Sequence, residues 1–127
     1  MKRYLLIDDE EIFNFIQSEV ISGHDATDEV VAYSSASEAL AYLQDQIAGK
    51  KNLPDFIFLD VRMPVMNGFD FLESFIKLDA EAIKDVKIYM LSSSLDEKDH
   101  QRALSFPHVK GFKSKPLTDE IIDEINS

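Results

Sequence analysis

Carboxylate, hydroxyl and ammonium side chains directly follow several short apolar runs of this sequence. Asp8 and Asp9 follow "YLLI", and Asp60 ends "DFIFLD". Ser92 follows "YML", and Lys115 follows "VKGFKS". Three carboxylates held close together would raise one another's pKa values unless a cation neutralised them. Oxygen ligands suit Mg²⁺ or Mn²⁺, whereas Zn²⁺ favours His or Cys, so the three acids predict a site for a hard divalent cation.

The acidic run 8–11 also has a simpler interpretation. Acids at the start of a helix complement the helix dipole, which is worth about 0.3 to 1 kcal/mol for each residue. This interpretation accounts for Glu10 and Glu11. It accounts poorly for Asp60, a lone acid that ends an apolar run elsewhere in the chain, so the pattern favours a metal site.

The remaining two polar positions suggest phosphoryl chemistry. A metal ion and a lysine can neutralise phosphoryl oxygens, a hydroxyl can donate a hydrogen bond to one of them, and an aspartate can be the nucleophile. Capping of the next helix is the alternative for the serines; we assign it to Ser94 and not to Ser92. For Lys115 the alternative is an ordinary surface lysine. A hydrolase with a base-activated serine is disfavoured, because surface roles are expected for the three histidines, His24, His100 and His108.

The site requires a fold that brings these strand ends together. Helical patterns follow five apolar runs of strand length: "RYLLI", "EVVAYS", "DFIFLD", "VKIYML" and "VKGFKS". Apolar strands without alternation, joined by helices, predict a parallel sheet with helices on both faces. Right-handed crossovers place the carboxyl ends of all strands at one edge, where open α/β sheets bind their ligands.

Apolar residues at helical spacing predict the face that each helix turns to the core. The predicted faces are Ile12, Ile16 and Val20; Ala36, Leu40, Leu43 and Ile47; Phe69, Leu72 and Ile76; and Leu117, Ile121 and Ile125. The fourth helix, in "LDEKDHQRALSF", is only weakly apolar, with Leu95, Ala103 and Leu104. Capping-box spacing marks the starts of the second and fourth helices, at Ser35 with Glu38 and at Ser94 with Glu97.

The composition is typical of one compact domain with a hydrophobic core, since 45% of its 127 residues are apolar. The chain has no cysteine, which excludes disulfides and thiolate chemistry. Its 24 acidic and 13 basic residues give a net charge of −11, which disfavours direct binding to nucleic acid. No apolar stretch approaches the roughly 20 residues of a membrane span. We therefore expect a soluble, cytoplasmic protein without a membrane partner.

Taken together, the motifs resemble the receiver domain of response regulators, of the stand-alone chemotaxis-regulator type. The matching features are the pair Asp8 and Asp9, "LDVRMPVMNG" around Asp60, Ser92 after "YML", and "KPL" beginning at Lys115. The resemblance implies a flavodoxin-like (βα)5 fold with strand order 2-1-3-4-5. It also implies one receiver domain over residues 1–127. Because the sequence ends soon after the fifth predicted helix, we expect no output domain.

The resemblance further implies a role for each site residue. Asp60 would accept a phosphoryl group from a phosphohistidine on a sensor histidine kinase or a histidine phosphotransfer protein. Asp9, Asp60 and the backbone carbonyl of Arg62 would bind Mg²⁺, or Mn²⁺, and Asp8 would act mainly through water. Lys115 would pair with the phosphoryl oxygens.

A conformational switch is also implied by the resemblance. Ser92 would donate a hydrogen bond to the phosphoryl group, and Phe112 would rotate into the space that Ser92 vacates. The surface of the fourth helix, fifth strand and fifth helix would then change for a downstream protein that the sequence does not identify. Arg62 and Ser93 flank the phosphoryl group, and the Lys115–Pro116 bond is cis in most such domains. A monomer is expected, with a phosphorylation-dependent dimer left open.

Three functions remain open at this point. The first is a phosphorylatable regulator, and the second is a receiver-fold module that binds partners without phosphorylation. The third is a turnover enzyme such as an aspartyl-phosphate phosphatase, which would require a second acid two residues after the nucleophile, where this chain has Arg62. We therefore expect a protein that accepts and hydrolyses its own aspartyl phosphate and is not an enzyme with a separate substrate.

Overall fold

The computed structural model describes residues 2–24, without the side chain of His24, and residues 28–126. The five strands are β1 Arg3–Ile7, β2 Glu29–Tyr33, β3 Phe56–Asp60, β4 Lys87–Ser92 and β5 Val109–Ser114. The six helices are α1 Glu11–His24, α2 Ala36–Ala48, α3 Gly68–Phe75, α4 Ala80–Ile83, α5 Glu97–Leu104 and α6 Asp119–Asn126. All five strands coincide with the predicted apolar runs. The expected surface position of the His24 side chain lies outside what the structure describes.

The strands form one parallel sheet in the order β2-β1-β3-β4-β5, which confirms the predicted topology. Leu5 in β1 aligns with both Val31 in β2 and Ile57 in β3. Asp60 aligns with Leu91 in β4, so the carboxyl ends of the central strands lie side by side. Every residue of β3 is buried, as expected for a central strand covered on both faces.

Alternate side chains of each central strand enter two hydrophobic clusters, one on each face of the sheet. In β1, Leu5 and Ile7 belong to the cluster that includes the buried residues of α2 and α3. Tyr4 and Leu6 point to the other cluster, together with Ile21 of α1. The predicted helices on both faces are therefore present. Within the described ranges, no helix is long and apolar enough to cross a membrane.

Helix α1 presents a different face to the sheet from the predicted one. Ile12 and Ile16 are 67% and 43% exposed, whereas Asn14, Gln17 and Ile21 are buried. The amide of Asn14 donates hydrogen bonds to the backbone carbonyls of Asp8, at 2.9 Å, and Tyr33, at 3.3 Å. Because these bonds satisfy the amide N–H groups of Asn14, this residue can face the sheet in place of the predicted Ile12 and Ile16.

The weakly apolar fourth helix corresponds to α5, and its predicted face is mostly wrong. Ala103 is buried, whereas Leu95 and Leu104 are exposed. The predicted cap is also wrong, because the carboxylate of Asp96, two residues after Ser94, accepts the Lys98 backbone N–H at 2.8 Å. An aspartate caps a helix as well as a serine does, so both positions fitted the sequence pattern.

Three further details differ from or match the sequence prediction. The one-turn helix α4 was not predicted; its N-cap is Asp79, which accepts the Glu81 N–H at 3.0 Å. With α4 counted, the fourth and fifth predicted helices are α5 and α6. Ile76 lies just after the end of α3 and is exposed. The predicted cap at Ser35 is present, because its hydroxyl accepts the Glu38 N–H at 3.2 Å.

Candidate functional site

Three carboxylates meet at the carboxyl edge of the sheet. Asp8 directly follows β1, Asp9 comes next in the chain, and Asp60 ends β3. One carboxylate oxygen of each residue lies within 4.8 Å of those of the other two. Asp8 is fixed at both its backbone and its side chain, since its N–H donates to the Tyr33 carbonyl at 3.2 Å and its Oδ1 accepts the Glu10 N–H at 2.9 Å. Asp8 and Asp60 are buried.

A buried lysine faces two of these acids. The ammonium nitrogen of Lys115 lies 2.7 Å from Asp8 Oδ2 and 3.2 Å from Asp60 Oδ1, and 6% of its side chain is exposed. Its backbone N–H donates to the Ser92 carbonyl at 2.9 Å, which joins the ends of β4 and β5. The peptide bond from Lys115 to Pro116 is cis, as expected.

An aromatic ring also lies close to the ammonium group. The Phe13 ring of α1 has its centroid 4.7 Å from Lys115 Nζ, within the range of a cation–π contact. The Lys115 ammonium therefore contacts two carboxylates and an aromatic ring.

Burial and charge shift the pKa values of this cluster. Burial raises the pKa of Asp60, the Asp8 carboxylate raises it further, and the Lys115 ammonium lowers it, which leaves the pKa at about 7 against an ordinary 3.8. Burial lowers the pKa of Lys115, but its contacts with Asp8 and Asp60 outweigh this effect and raise that pKa overall. With all three acids ionised, the cluster is therefore two positive charges short of neutrality.

The acidic cluster fits a hard divalent cation. Its ligand atoms are carboxylate oxygens, which Mg²⁺ and Mn²⁺ prefer. Asp8 Oδ2 is paired with Lys115 Nζ at 2.7 Å, and one ammonium cannot balance three carboxylates. A divalent cation would supply the missing positive charge and lower the raised pKa of Asp60. The structure thus supports a divalent metal site without distinguishing Mg²⁺ from Mn²⁺.

Ser92 is buried at the end of β4, beside this cluster in the sheet. Its hydroxyl donates to the Ser94 carbonyl at 2.6 Å and accepts the Ser94 N–H at 3.1 Å, so it is engaged with the β4–α5 loop. Ser93 is exposed. Phe112 in β5 is half-buried, and its ring centroid lies 5.3 Å from that of His100 on α5. Both predicted switch residues therefore contact either α5 or the loop that precedes it.

Arg62 directs its side chain away from the sheet. Its Nη2 donates to Asp99 Oδ2 of α5 at 2.8 Å, and its side chain is 72% exposed. The predicted metal ligand of Arg62 is its backbone carbonyl, which this side-chain contact leaves available. The guanidinium thus links the loop that follows β3 to α5.

The loop from β3 to α3 is tightly constrained. The Gly68 N–H donates to the Val61 carbonyl at 3.0 Å, and a Cβ at residue 68 would lie 2.5 Å from the Asp60 carbonyl oxygen. Asn67 caps α3, and its side chain and that of Asp70 form a reciprocal capping box. The backbone carrying Asp60 is therefore anchored to the first turn of α3.

Sequence analysis missed three residues that contact the site or its surroundings, namely Phe13, Asn14 and Asp99. Phe13 could have been found from its place four residues after Asp9, on the first turn of a helix that starts at the site. Asn14 interrupts an apolar helix pattern, which is a weak signal for a buried amide. Nothing in the local sequence distinguishes Asp99 from its acidic neighbours.

Comparison with known proteins establishes the class to which this fold and site belong. The profile of the family described as "Response regulator receiver domain" matches residues 4–126, and the chain belongs to this family. A two-component response regulator from Cytophaga hutchinsonii superposes with a TM-score of 0.89 at 29% identity, covering 98% of this chain and 92% of that one. The chemotaxis protein CheY4 of Vibrio cholerae gives a TM-score of 0.80 at 27% identity, covering 99% and 96%.

One sequence relative is much longer than this chain. The protein-glutamate methylesterase/protein-glutamine glutaminase 2 of Xanthomonas oryzae pv. oryzae is 37% identical over 120 residues, which are 92% of this chain and 30% of that protein. The chain spans about half or less of the length of the curated relatives that it matches first. The comparisons confirm the predicted receiver family.

Proposed function

We propose that this protein is a response regulator that accepts a phosphoryl group on Asp60 in a reaction dependent on Mg²⁺. The observation that carries the proposal is the buried Lys115 ammonium, within 3.2 Å of carboxylate oxygens of both Asp8 and Asp60. A lone lysine among three acids leaves room for one divalent cation and suits a group that brings its own negative oxygens.

The proposed reaction follows from these positions. A carboxylate oxygen of Asp60 attacks the phosphorus of a phosphohistidine on a kinase or phosphotransfer protein, and the P–N bond breaks with its electron pair left on the imidazole nitrogen. In the return to the resting state, water attacks the phosphorus, and the P–O bond to Asp60 breaks to release inorganic phosphate. Lys115 pairs with a phosphoryl oxygen in both steps. A bound divalent cation supplies charge neutralisation of the phosphoryl oxygens.

The proposed output is a changed surface on α5, β5 and α6. Ser92 would exchange its bond with the Ser94 carbonyl for one with the phosphoryl oxygen, which would pull the β4–α5 loop inward. Phe112, which contacts the His100 ring, would then move as the space beside Ser92 opens. A downstream protein of unknown identity would bind this surface, and we place these events in the cytoplasm.

The test is the mass of the intact protein after incubation with acetyl phosphate and Mg²⁺. We expect a gain of one phosphoryl group in the wild type and none in Asp60→Asn or after metal removal with EDTA. Asp55→Asn, which changes an exposed acid at the opposite end of β3, is the matched control and should be labelled normally. Equal labelling of Asp60→Asn and the wild type would mean that another residue accepts the phosphoryl group. No labelling of any variant would favour the module that binds partners without phosphorylation.

A further inference from the structure

Two arginines form ionic contacts between α5 and the rest of the molecule. Within α5, which the structure describes completely, Ala103 is the one buried residue. Arg62 pairs with Asp99 in the first turn of the helix. Arg102 Nη2 lies 3.6 Å from Glu73 Oε1 of α3, and the guanidinium carbon of Arg102 is 4.3 Å from the centroid of the Phe69 ring. The start and the end of α5 are thus attached by different ionic contacts.

The contact at the start of α5 joins it to the loop that follows β3. Arg62 is two residues after Asp60, and 17% of the Asp99 side chain is exposed, against 72% of that of Arg62. Asp99 is therefore the fixed partner, and the guanidinium is the group that is free to move. Asp99 also keeps a favourable interaction with the helix dipole when Arg62 leaves, because it lies in the first turn of α5.

A phosphoryl group on Asp60 would compete with Asp99 for this guanidinium. It brings about 1.5 to 2 negative charges and three acceptor oxygens, which arginine binds through two parallel hydrogen bonds. The exposed pair with Asp99 is weak by comparison, since such pairs are worth roughly 0.2 to 1 kcal/mol. The difference in strength favours transfer of Arg62 to the phosphoryl group.

We propose that Asp99 is a positioning residue that holds Arg62 away from Asp60 in the resting protein, and that phosphorylation transfers Arg62 to the phosphoryl group and releases the first turn of α5. This inference rests on the proposed function, because it requires a phosphoryl group on Asp60. It adds a second connection between the site and α5, separate from that through Ser92 and Phe112.

The first measurement is amide hydrogen exchange in α5 of the unphosphorylated protein. Asp99→Asn and Arg62→Gln should each speed exchange in the first turn by roughly two- to fivefold, the range that an exposed ion pair provides. The double variant should exchange no faster than either single variant, because both remove the same contact. Glu97→Gln is the matched control, since it removes a charge from the same turn without touching Arg62.

The second measurement follows acetyl phosphate labelling. In the labelled wild type, amides in the first turn of α5 should exchange as fast as those of unlabelled Asp99→Asn. Labelling should not raise this exchange rate further in Asp99→Asn or in Arg62→Gln. The aspartyl phosphate should also decay more slowly in Asp99→Asn than in the wild type, because Arg62 is then free to cover the phosphoryl group. In the Arg62→Gln background, Asp99→Asn should leave the decay rate unchanged.

The outcomes separate this inference from the proposed function. Full labelling of the wild type with unchanged exchange in α5 overturns the transfer of Arg62 and leaves the phosphoacceptor proposal intact. An effect of Glu97→Gln as large as that of Asp99→Asn also overturns it, because the helix would then respond to charge alone. No labelling of the wild type overturns both proposals together.

Discussion

Asp60 has a raised pKa because the fold buries it beside another acid. Its carboxyl group is surrounded by Asp8, Asp9 and Lys115, and one ammonium does not balance three carboxylates. The proximity on which the proposed cation binding and phosphoryl transfer depend also makes the metal-free folded state costly. The close placement of Asp8, Asp9 and Asp60 thus favours a ligand that supplies positive charge.

The first prediction concerns this cost as a function of pH. In metal-free protein the pKa of Asp60 is about 7 in the folded state, against 3.8 as its ordinary value. Between these two pH values the folded state binds more protons than the unfolded state, so the free energy of unfolding should fall as pH rises through this window. The free energy of unfolding of Asp60→Asn should fall less steeply with pH. At pH 8 it should exceed that of the wild type by an amount on the order of 1 kcal/mol.

Urea unfolding at pH 5 and pH 8 in EDTA measures this difference. Asp85→Asn is a suitable control, because residue 85 is an exposed acid far from the carboxyl edge. Parallel pH dependences of the wild type and Asp60→Asn would show that other groups are responsible.

The second prediction concerns the backbone at Val65, in the loop after the site. Val65 has φ of 67° and a fully exposed side chain, a conformation that is strained for a β-branched residue. Val65→Gly should raise the free energy of unfolding by about 0.5 to 1 kcal/mol, because relief of strain exceeds the entropy lost by a glycine. Val65→Ala removes the side chain and keeps the positive φ. Thermal unfolding should therefore rank Gly above Ala, and the reverse order would contradict the argument from strain.

At the scale of elements, the strands were predictable and the helix contacts were less so. The five strands are apolar runs bounded by polar residues, and parallel topology follows from their connections, so the meeting of Asp8, Asp60 and Lys115 at one edge could be predicted. The buried face of α1 could not, because Asn14 is buried through hydrogen bonds with backbone carbonyls of two strands. Such bonds depend on tertiary geometry that an apolar pattern does not contain. The same limit applies to Arg62 and Asp99, which are 37 residues apart.

The third prediction tests how closely α3 approaches β3. A Cβ at residue 68 would lie 2.5 Å from the Asp60 carbonyl oxygen and 2.8 Å from Met90 Cε. Gly68→Ala should therefore displace the start of α3 and lower the free energy of unfolding by roughly 1 to 3 kcal/mol, as overpacking does. It should also slow labelling by acetyl phosphate, because the displaced backbone carries Asp60.

The matched control is Gly23→Ala, in the last turns of α1. A Cβ there meets no atom of the described residues within 4 Å, and alanine favours helix over glycine by about 0.5 to 1 kcal/mol. This variant should be slightly more stable than the wild type and be labelled normally. Equal stability of the two alanine variants would contradict the close approach at Gly68.

At the scale of the whole molecule, the net charge of −11 makes the stability of the folded state sensitive to cations. Any salt screens repulsion among the surface acids, and such screening depends on ionic strength and not on the identity of the cation. A cation that is held by Asp8, Asp9 and Asp60 binds only to the folded state, because the unfolded chain does not hold the three acids together. The two effects can therefore be separated at constant ionic strength.

The fourth prediction is a stabilisation by Mg²⁺ that exceeds that of KCl at equal ionic strength. Above the dissociation constant, each tenfold increase in Mg²⁺ should add about 1.4 kcal/mol to the free energy of unfolding. Thermal unfolding at pH 8 measures this rise, and Mn²⁺ should produce it as well, since both ions favour carboxylate oxygens. Asp60→Asn should lose most of the Mg²⁺-specific part and keep the response to KCl. Identical curves for Mg²⁺ and KCl in the wild type would mean that the cluster holds no specific cation, and the burial of Asp8 and Asp60 would then need another cause.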